Sequence, residues 1–273
     1  MSEAIEQTGA RYPLLAKRTS KRWLITAAVT TAIVALPVLS VLILALFPEE
    51  NIWPHLLDTT LPRYLVTTLQ LMAGVAFITL VIGLASAWAV TMCDFPGRKF
   101  FEWAMLLPFA VPAYVIAYVY TSLLDYAGPV QTAMRDWFGW HNAADYWFPE
   151  IRSLGGAAMM LILVLYPYVY LLARAAFLQQ SSAAFLAART LGHSAWSAFW
   201  RVSMPMARPA IAGGVLLAVM ETIADFGTVA YFSVQTFATG IYTSWFTMAD
   251  RAAAAQLALG LLGFSLALAL LER

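Results

Sequence analysis

Two carboxylates, Glu221 and Asp225, stand in a run from residue 210 to 232 that is otherwise free of charge. Four residues apart, they fall on one face of a helix. On membrane-insertion scales an acid at the centre of such a run costs about 2.5–3.5 kcal/mol, so both must turn toward water or the inside of a bundle. Two roles fit them. As hard oxygen donors they could line a path and draw in or briefly ligate a cation. Alternatively, Glu221 bonds a neighbouring helix and Asp225 caps a break before Gly227. Bond-making chemistry has no comparable signal. The chain has no Gly-x-x-x-x-Gly-Lys-Ser/Thr phosphate loop, no zinc-spaced His/Cys set and no nucleophile triad. His55, His141 and His193 are scattered, and the single Cys93 ends an apolar run, where it packs and excludes an internal disulfide. No residue is assigned to catalysis, and no metal ligand is assigned with certainty.

A second pattern lies just upstream, in AARTLGHSAWSAFWRVSMPMARPAI (residues 187–211). It holds Arg189, Arg201 and Arg208 and no acid. Trp196, Phe199, Trp200 and Ser203 fall at i, i+3, i+4 and i+7, which makes one helix face aromatic and leaves His193 and Arg201 off it. Gly192 bends the helix that residues 183–191 would otherwise continue, and Pro205 and Pro209 end a second one. The spacing therefore predicts two short helices and a bend along a membrane surface. Ala187 and Ala188 leave room there for close approach by another protein.

Composition decides which elements position these residues. Of 273 residues, 62% are hydrophobic and 11% charged, with mean hydropathy +0.73. That is too little charge to cover a soluble domain, so the bilayer is the solvent, and a net charge of +1 gives no footprint for nucleic acid. Apolar runs at residues 23–47, 64–93, 103–124, 154–173, 210–232 and 252–271 can each cross about 30 Å of hydrocarbon at 1.5 Å per residue. Each must be helical, because an unpaired amide there costs several kcal/mol. The polar tail before the first run, with no small-residue cleavage site after it, marks that run as a retained helix. Pro108, Pro112 and Pro167 predict kinks, and Gly74, Gly83, Gly213, Gly214, Gly260 and Gly263 suit close helix packing.

Charge sorts the connections. Twelve of the 16 Lys and Arg fall on one side: Arg11, Lys17, Arg18, Lys21 and Arg22, then Arg98 and Lys99, then Arg174, Arg189, Arg201 and Arg208, and Arg273. Arg63, Arg135, Arg152 and Arg251 fall on the other, among Glu49, Glu50, Asp58, Asp125, Asp136, Asp145, Glu150 and Asp250. The positive-inside rule puts both termini and the residue 174–208 loop in the cytoplasm. The outer connections carry Trp53, Trp137, Phe138, Trp140, Tyr146, Trp147 and Phe148, and residues 126–152 read as an interfacial helix ended by DYWFPEI.

The loop resembles that of the inner-membrane permease subunits of binding-protein-dependent ABC importers. Their motif is Glu-Ala-Ala, three residues, Gly, nine residues, then Ile-x-Leu-Pro. This chain matches the spacing with Ala187, Ala188, Gly192 and Val202-Ser203-Met204-Pro205, and departs from it at Leu186, where the family has Glu. PFAVPAYVIAYVYTSLLDYAGPVQ and ETIADFGTVAYFSVQTFATGIYTSW are similar to stretches of the ferric-iron importer permeases, with thiamine and polyamine permeases more distant. The resemblance runs from about Tyr64 onward. It implies an all-α membrane protein of the type I importer architecture, with six transmembrane helices, N-in/C-in. Residues 1–22 would be a cytoplasmic tail and residues 23–273 the permease domain, with a coupling helix in the 174–208 loop. Ala187, Ala188, Arg189, Gly192, Val202, Met204 and Pro205 would dock an ATPase subunit. The loop arginines would meet acidic rims on it, except Arg174 and Arg208, which would hold the span ends to anionic lipid.

The same resemblance implies partners. They are two ATPase subunits that use ATP, a periplasmic substrate-binding protein, and a second permease half by fusion or association, since ferric-type permeases are usually two fused six-span halves and this chain looks like the first. It also implies a bacterial inner-membrane location and no cofactor bound by this chain. The substrate it points to is ferric iron, with thiamine, polyamine or another small solute as alternatives. A cation-coupled secondary transporter is the competing class. It too would place an acidic pair at a broken helix, but it leaves the long basic loop without a purpose.

Overall fold

In an apolar medium a chain must satisfy its backbone internally. This one does so with helices: the structure, a computed structural model, describes residues 21–47, 58, 60–180 and 182–271 and contains no strand among them. Arg11, Lys17 and Arg18 of the tail, Glu49, Glu50, Trp53 and His55 of the first connection, and Arg273 lie outside the described residues.

Helices α1 (Lys21–Leu46) and α2 (Leu61–Met92) are continuous. The third apolar run is not. It consists of α3 (Arg98–Ala104), a 3-10 turn (Leu107–Ala110) and α4 (Ala113–Leu124), and the chain bends by 97° between its two parts. Residues 103–124 are therefore broken rather than merely kinked. The ring of Pro112 drives Val111 out of the helical region to φ −122°, ψ 124°. A new helix then starts on the Pro112 carbonyl, which accepts from the Val115 and Ile116 amides at 3.0 and 3.3 Å. Helix α5 (Pro129–Phe138) follows.

Helix α6 (Leu154–Gln179) passes through Pro167 without a break and continues well beyond residue 173. After it come α7 (Ser182–Thr190), α8 (Ala195–Ala198) and a π-turn (Phe199–Ser203) that runs straight into α9 (Met204–Ala224). The expectation that Pro205 and Pro209 end a separate second helix is thus corrected. The π-turn bonds the Met204 amide to the Phe199 carbonyl five residues back, and this wider winding accommodates a proline that has no amide to give. Helix α9 stops at Ala224, and α10 (Gly227–Tyr231) starts after Asp225 and Phe226. The remainder is α11 (Phe237–Tyr242), a π-turn (Thr243–Thr247) and α12 (Arg251–Leu271). Among the described residues, five helices can cross a membrane by length and composition, or six if the bent third segment counts as one span.

Helix α6 is the hub. The apolar window of α6 is 61% buried, against 6% for α1, so α6 is enclosed by protein while α1 packs mainly on α12, where Gln256 Nε2 donates to the Ala45 carbonyl at 3.1 Å. Helices α2 and α9 close on α6 through glycine. A Cβ at Gly83 would lie 2.7 Å from Val169 Cβ, and one at Gly214 would lie 2.8 Å from Val169 Cα. Dispersion between close backbones is what associates helices in lipid. Gly74, Gly260 and Gly263, grouped with them on sequence, face open space.

Candidate functional site

The loop between α6 and α9 is built on a helix stop that requires glycine. The Gly192 amide bonds the Arg189 carbonyl and the His193 amide bonds the Ala188 carbonyl, both at 3.1 Å, which is the Schellman termination. It places Gly192 at φ +89°, a region L-residues avoid. The spacing from Ala188 to Gly192 is therefore set by hydrogen-bond geometry. Ala188 is buried, whereas Ala187, Arg189, Leu186 and Leu191 are exposed, Leu191 by 81%. Arg189 turns its guanidinium onto the His193 carbonyl at 3.1 Å and so braces the turn. Ser194 then caps α8 by accepting from the Ser197 amide at 3.2 Å, and His193 Nδ1 lies 3.3 Å from the Ser197 hydroxyl. Val202, Met204 and Pro205 are half-buried on the continuation into α9.

An aromatic bracket holds this turn to the bundle. Phe199 is buried, with ring centroids 5.9 Å from Trp88 of α2, 5.8 Å from Phe177 of α6 and 5.9 Å from Trp196. Trp196 also meets Trp88 edge-on at 6.0 Å. Gln180 Nε2 donates to the Ser203 carbonyl at 2.8 Å, tying the end of α6 to the π-turn. Sequence periodicity found Trp196, Phe199 and Trp200 but not their partners, because Trp88 and Phe177 sit in uniformly apolar helices that carry no pattern.

A second lacing fastens α3 to α6. The Tyr170 hydroxyl donates to the Glu102 carbonyl at 2.8 Å and the Tyr166 hydroxyl to the Met105 carbonyl at 3.1 Å. Arg174 pairs with the Glu102 carboxylate. Arg174 was expected to face lipid headgroups; it is engaged within the protein. Glu102 has no signal in the sequence beyond its charge.

The carboxylates of the broken helix have different surroundings. Asp225 lies past the end of α9, where its Oδ1 accepts from the Thr228 and Val229 amides at 3.0 and 3.1 Å and its Oδ2 from the Thr228 hydroxyl at 3.1 Å. These bonds start α10. Glu221 is exposed on α9, with the Tyr168 hydroxyl of α6 beside it. Among the described residues no three His, Cys, Asp or Glu side chains gather as a metal site.

At the far end of the bundle the connection between α4 and α6 is cross-braced. Tyr146 donates to Gln131 Oε1 at 2.6 Å and accepts from Arg135 at 2.9 Å. Trp140 stacks on Tyr146 at 4.8 Å. The His141 and Asn142 amides bond the Asp145 carboxylate at 2.7 and 3.0 Å and hold its pKa below the ordinary carboxylate value. Trp137 and Trp147 are left fully outward, 88% and 84% exposed.

Residues 80–273 match the family described as the binding-protein-dependent transport system inner membrane component. The chain belongs to this family. Its members are permeases, membrane components of importers. The chain is 26% identical over 211 residues to the molybdenum transport system permease protein ModB of Escherichia coli K12, covering 75% of this chain and 87% of that protein. It is 33% identical over 156 residues to the sulfate transport system permease protein CysW of the same strain, covering 57% and 50%. To the Fe(3+)-transport system permease protein FbpB 2 of Haemophilus influenzae it is 25% identical over 181 residues, covering 66% and 31%. Among solved structures, a bacterial alginate ABC transporter in complex with an alginate pentasaccharide-bound periplasmic protein has a chain that superimposes with TM-score 0.74 at 16% identity, covering 92% and 93%. That likeness shows a shared fold. The substrates named for these relatives differ, so they support the permease family expected from the sequence without singling out its ferric-iron members.

Proposed function

We propose that this chain is the transmembrane subunit of an ATP-driven importer, oriented with both described ends inside a bacterial cell, which takes substrate from a periplasmic binding protein into the cytoplasm. It would act with two ATPase subunits and a second permease half. The observation that carries this reading is the Ala187–Gly192 turn, because it is both presented and rigid. Leu186 and Leu191 project from it, while Phe199 wedges its base between α2 and α6. A force applied at the turn therefore enters α9 through the continuous π-turn and α6 through Phe177 and Gln180. Two-state motion of packed helices is the usual form of such a transition. ATP chemistry stays on the partner, and this chain binds no cofactor.

For the substrate we favour ferric iron over the molybdenum and sulfate named for other relatives. The reason is Glu221: an exposed carboxylate on an apolar helix attracts a cation and repels an anion. Asp225 supports the same helix end from its capping position. The arginines at the turn, Arg189 and Arg201, face outward and suit an acidic rim on the ATPase.

Reconstitution tests the reading. Proteoliposomes holding this chain, its permease partner, the ATPase subunits and the binding protein should take up ferric iron only when ATP is present on the turn side. Uptake driven by an ion gradient with the ATPase subunits omitted would overturn it in favour of secondary transport. Uptake of molybdate or sulfate but not iron would overturn the substrate alone.

A further inference from the structure

A long apolar groove lies between α2, α9 and α12, away from Glu221. Leu69, Met72, Ala76, Val215, Val219 and Leu268 line it, with Arg208 one turn inside its Met204 end, and its volume is about 670 Å³. Its wall runs from Leu69 to Leu80 on α2 and from Met204 to Val219 on α9. At 1.5 Å per residue those walls are about 16 and 22 Å long, roughly half and three-quarters of the 30 Å hydrocarbon layer. The groove is thus at least one leaflet deep. Arg208 is exposed, one turn into α9, and makes no ion pair with an acid among the described residues. On the α9 wheel Ala212, Val215 and Val219 lie far round from Glu221, so the groove opens to the side of the bundle rather than onto the face that carries the carboxylate.

We infer that this groove holds one acyl chain of an anionic phospholipid of the inner leaflet, with Arg208 on its headgroup phosphate. An acyl chain matches the apolar lining and the depth, and Arg208, the one charged side chain among the described residues that line the groove, selects the sign of the headgroup. A cation near the end of a membrane helix alone would attract anionic lipid diffusely; an apolar slot of this length with that cation in its wall makes a site. The assignment to the inner leaflet rests on the orientation proposed above.

The test uses the full chain, extracted with whatever subunits it carries and placed in nanodiscs of phosphatidylglycerol and phosphatidylcholine. Native mass spectrometry should find phosphatidylglycerol retained in preference to phosphatidylcholine. Arg208→Gln should reduce that preference about five-fold, the worth of one basic residue at a membrane surface. Ala212→Trp, which fills the groove and leaves Arg208 in place, should abolish retention of both lipids while the chain still inserts. Unchanged retention in either variant would overturn the site. So would a crosslink from Ala212→Cys, in a Cys93→Ala background, to a second polypeptide rather than to a photoactivatable acyl chain. Arg208→Cys in the same background should react with an impermeant thiol reagent only from the inside; reaction from the outside with retention intact would overturn the orientation and leave the groove standing.

Discussion

Gly192 decides how the turn should be tested, because two explanations of its importance predict opposite orders of damage. Its φ of +89° costs an alanine about 1–2 kcal/mol, while aspartate tolerates that region better. No atom lies within 4 Å of a Cβ built there, so neither side chain clashes within the chain. If the turn matters as a docking surface, Gly192→Asp should lose ATPase co-purification and uptake more completely than Gly192→Ala. If Ala is the more damaging, backbone strain governs instead. The two carboxylates separate by role in the same way. Asp225→Ala strands the Thr228 and Val229 amides, at about 1.5–3 kcal/mol for bonds to a charged group, and should lower the yield of folded protein. Glu221→Gln removes no bond that starts a helix. It should reduce uptake at normal yield and with normal ATPase docking; poor yield with normal uptake per molecule would make Glu221 structural.

Among the elements, α6 links the two ends of the machine. Tyr166, Tyr170 and Arg174 fasten α3 to it, and Phe177 and Gln180 fasten the turn. The break at Val111 and Pro112 separates α3, fastened to α6, from α4, whose Tyr118 packs edge-on against Tyr231 of α10 at 6.0 Å. This makes the Arg174–Glu102 pair a strut rather than a stability device, since its side chains are 27% and 36% exposed and such pairs contribute about 0–1 kcal/mol. Arg174→Glu should therefore leave thermal stability nearly unchanged but cut uptake per ATP hydrolysed. Adding Glu102→Arg should restore it. Loss of stability in the single variant without rescue by the double would remove the strut from the mechanism.

For the whole molecule the central matter is which end of the bundle faces the ATPase. In a Cys93→Ala background, His193→Cys should be labelled by an impermeant thiol reagent only from the cytoplasmic side, and Asn142→Cys only from the outside. The reverse pattern would put the turn beyond the reach of any cytoplasmic ATPase. The exposed surface of α1, with Trp23, Ile33 and Leu46 all facing outward, is apolar enough to face lipid.

Much of this was legible in the residues themselves. Long charge-free runs can only be helices in hydrocarbon. A glycine four residues after a buried alanine can close a helix at that spacing without strain. The interruption at Asp225-Phe226-Gly227 was visible too, because an acid and a glycine in an apolar run are each expensive without a purpose. Packing decided the rest. Pro112 breaks its helix and Pro205 does not, although both lack the same amide; the difference lies in Val111 turning extended and in a π-turn upstream of Pro205. Whether Glu221 and Asp225 act together depended on where α9 stops. That Arg174 meets Glu102 while Arg208 lines a groove depended on which helix lies opposite each. Helical pattern is a local consequence of covalent geometry and solvent, and sequence records it. A partner from seventy residues away is chosen by close packing in three dimensions, and uniformly apolar helices leave no periodic trace of that choice.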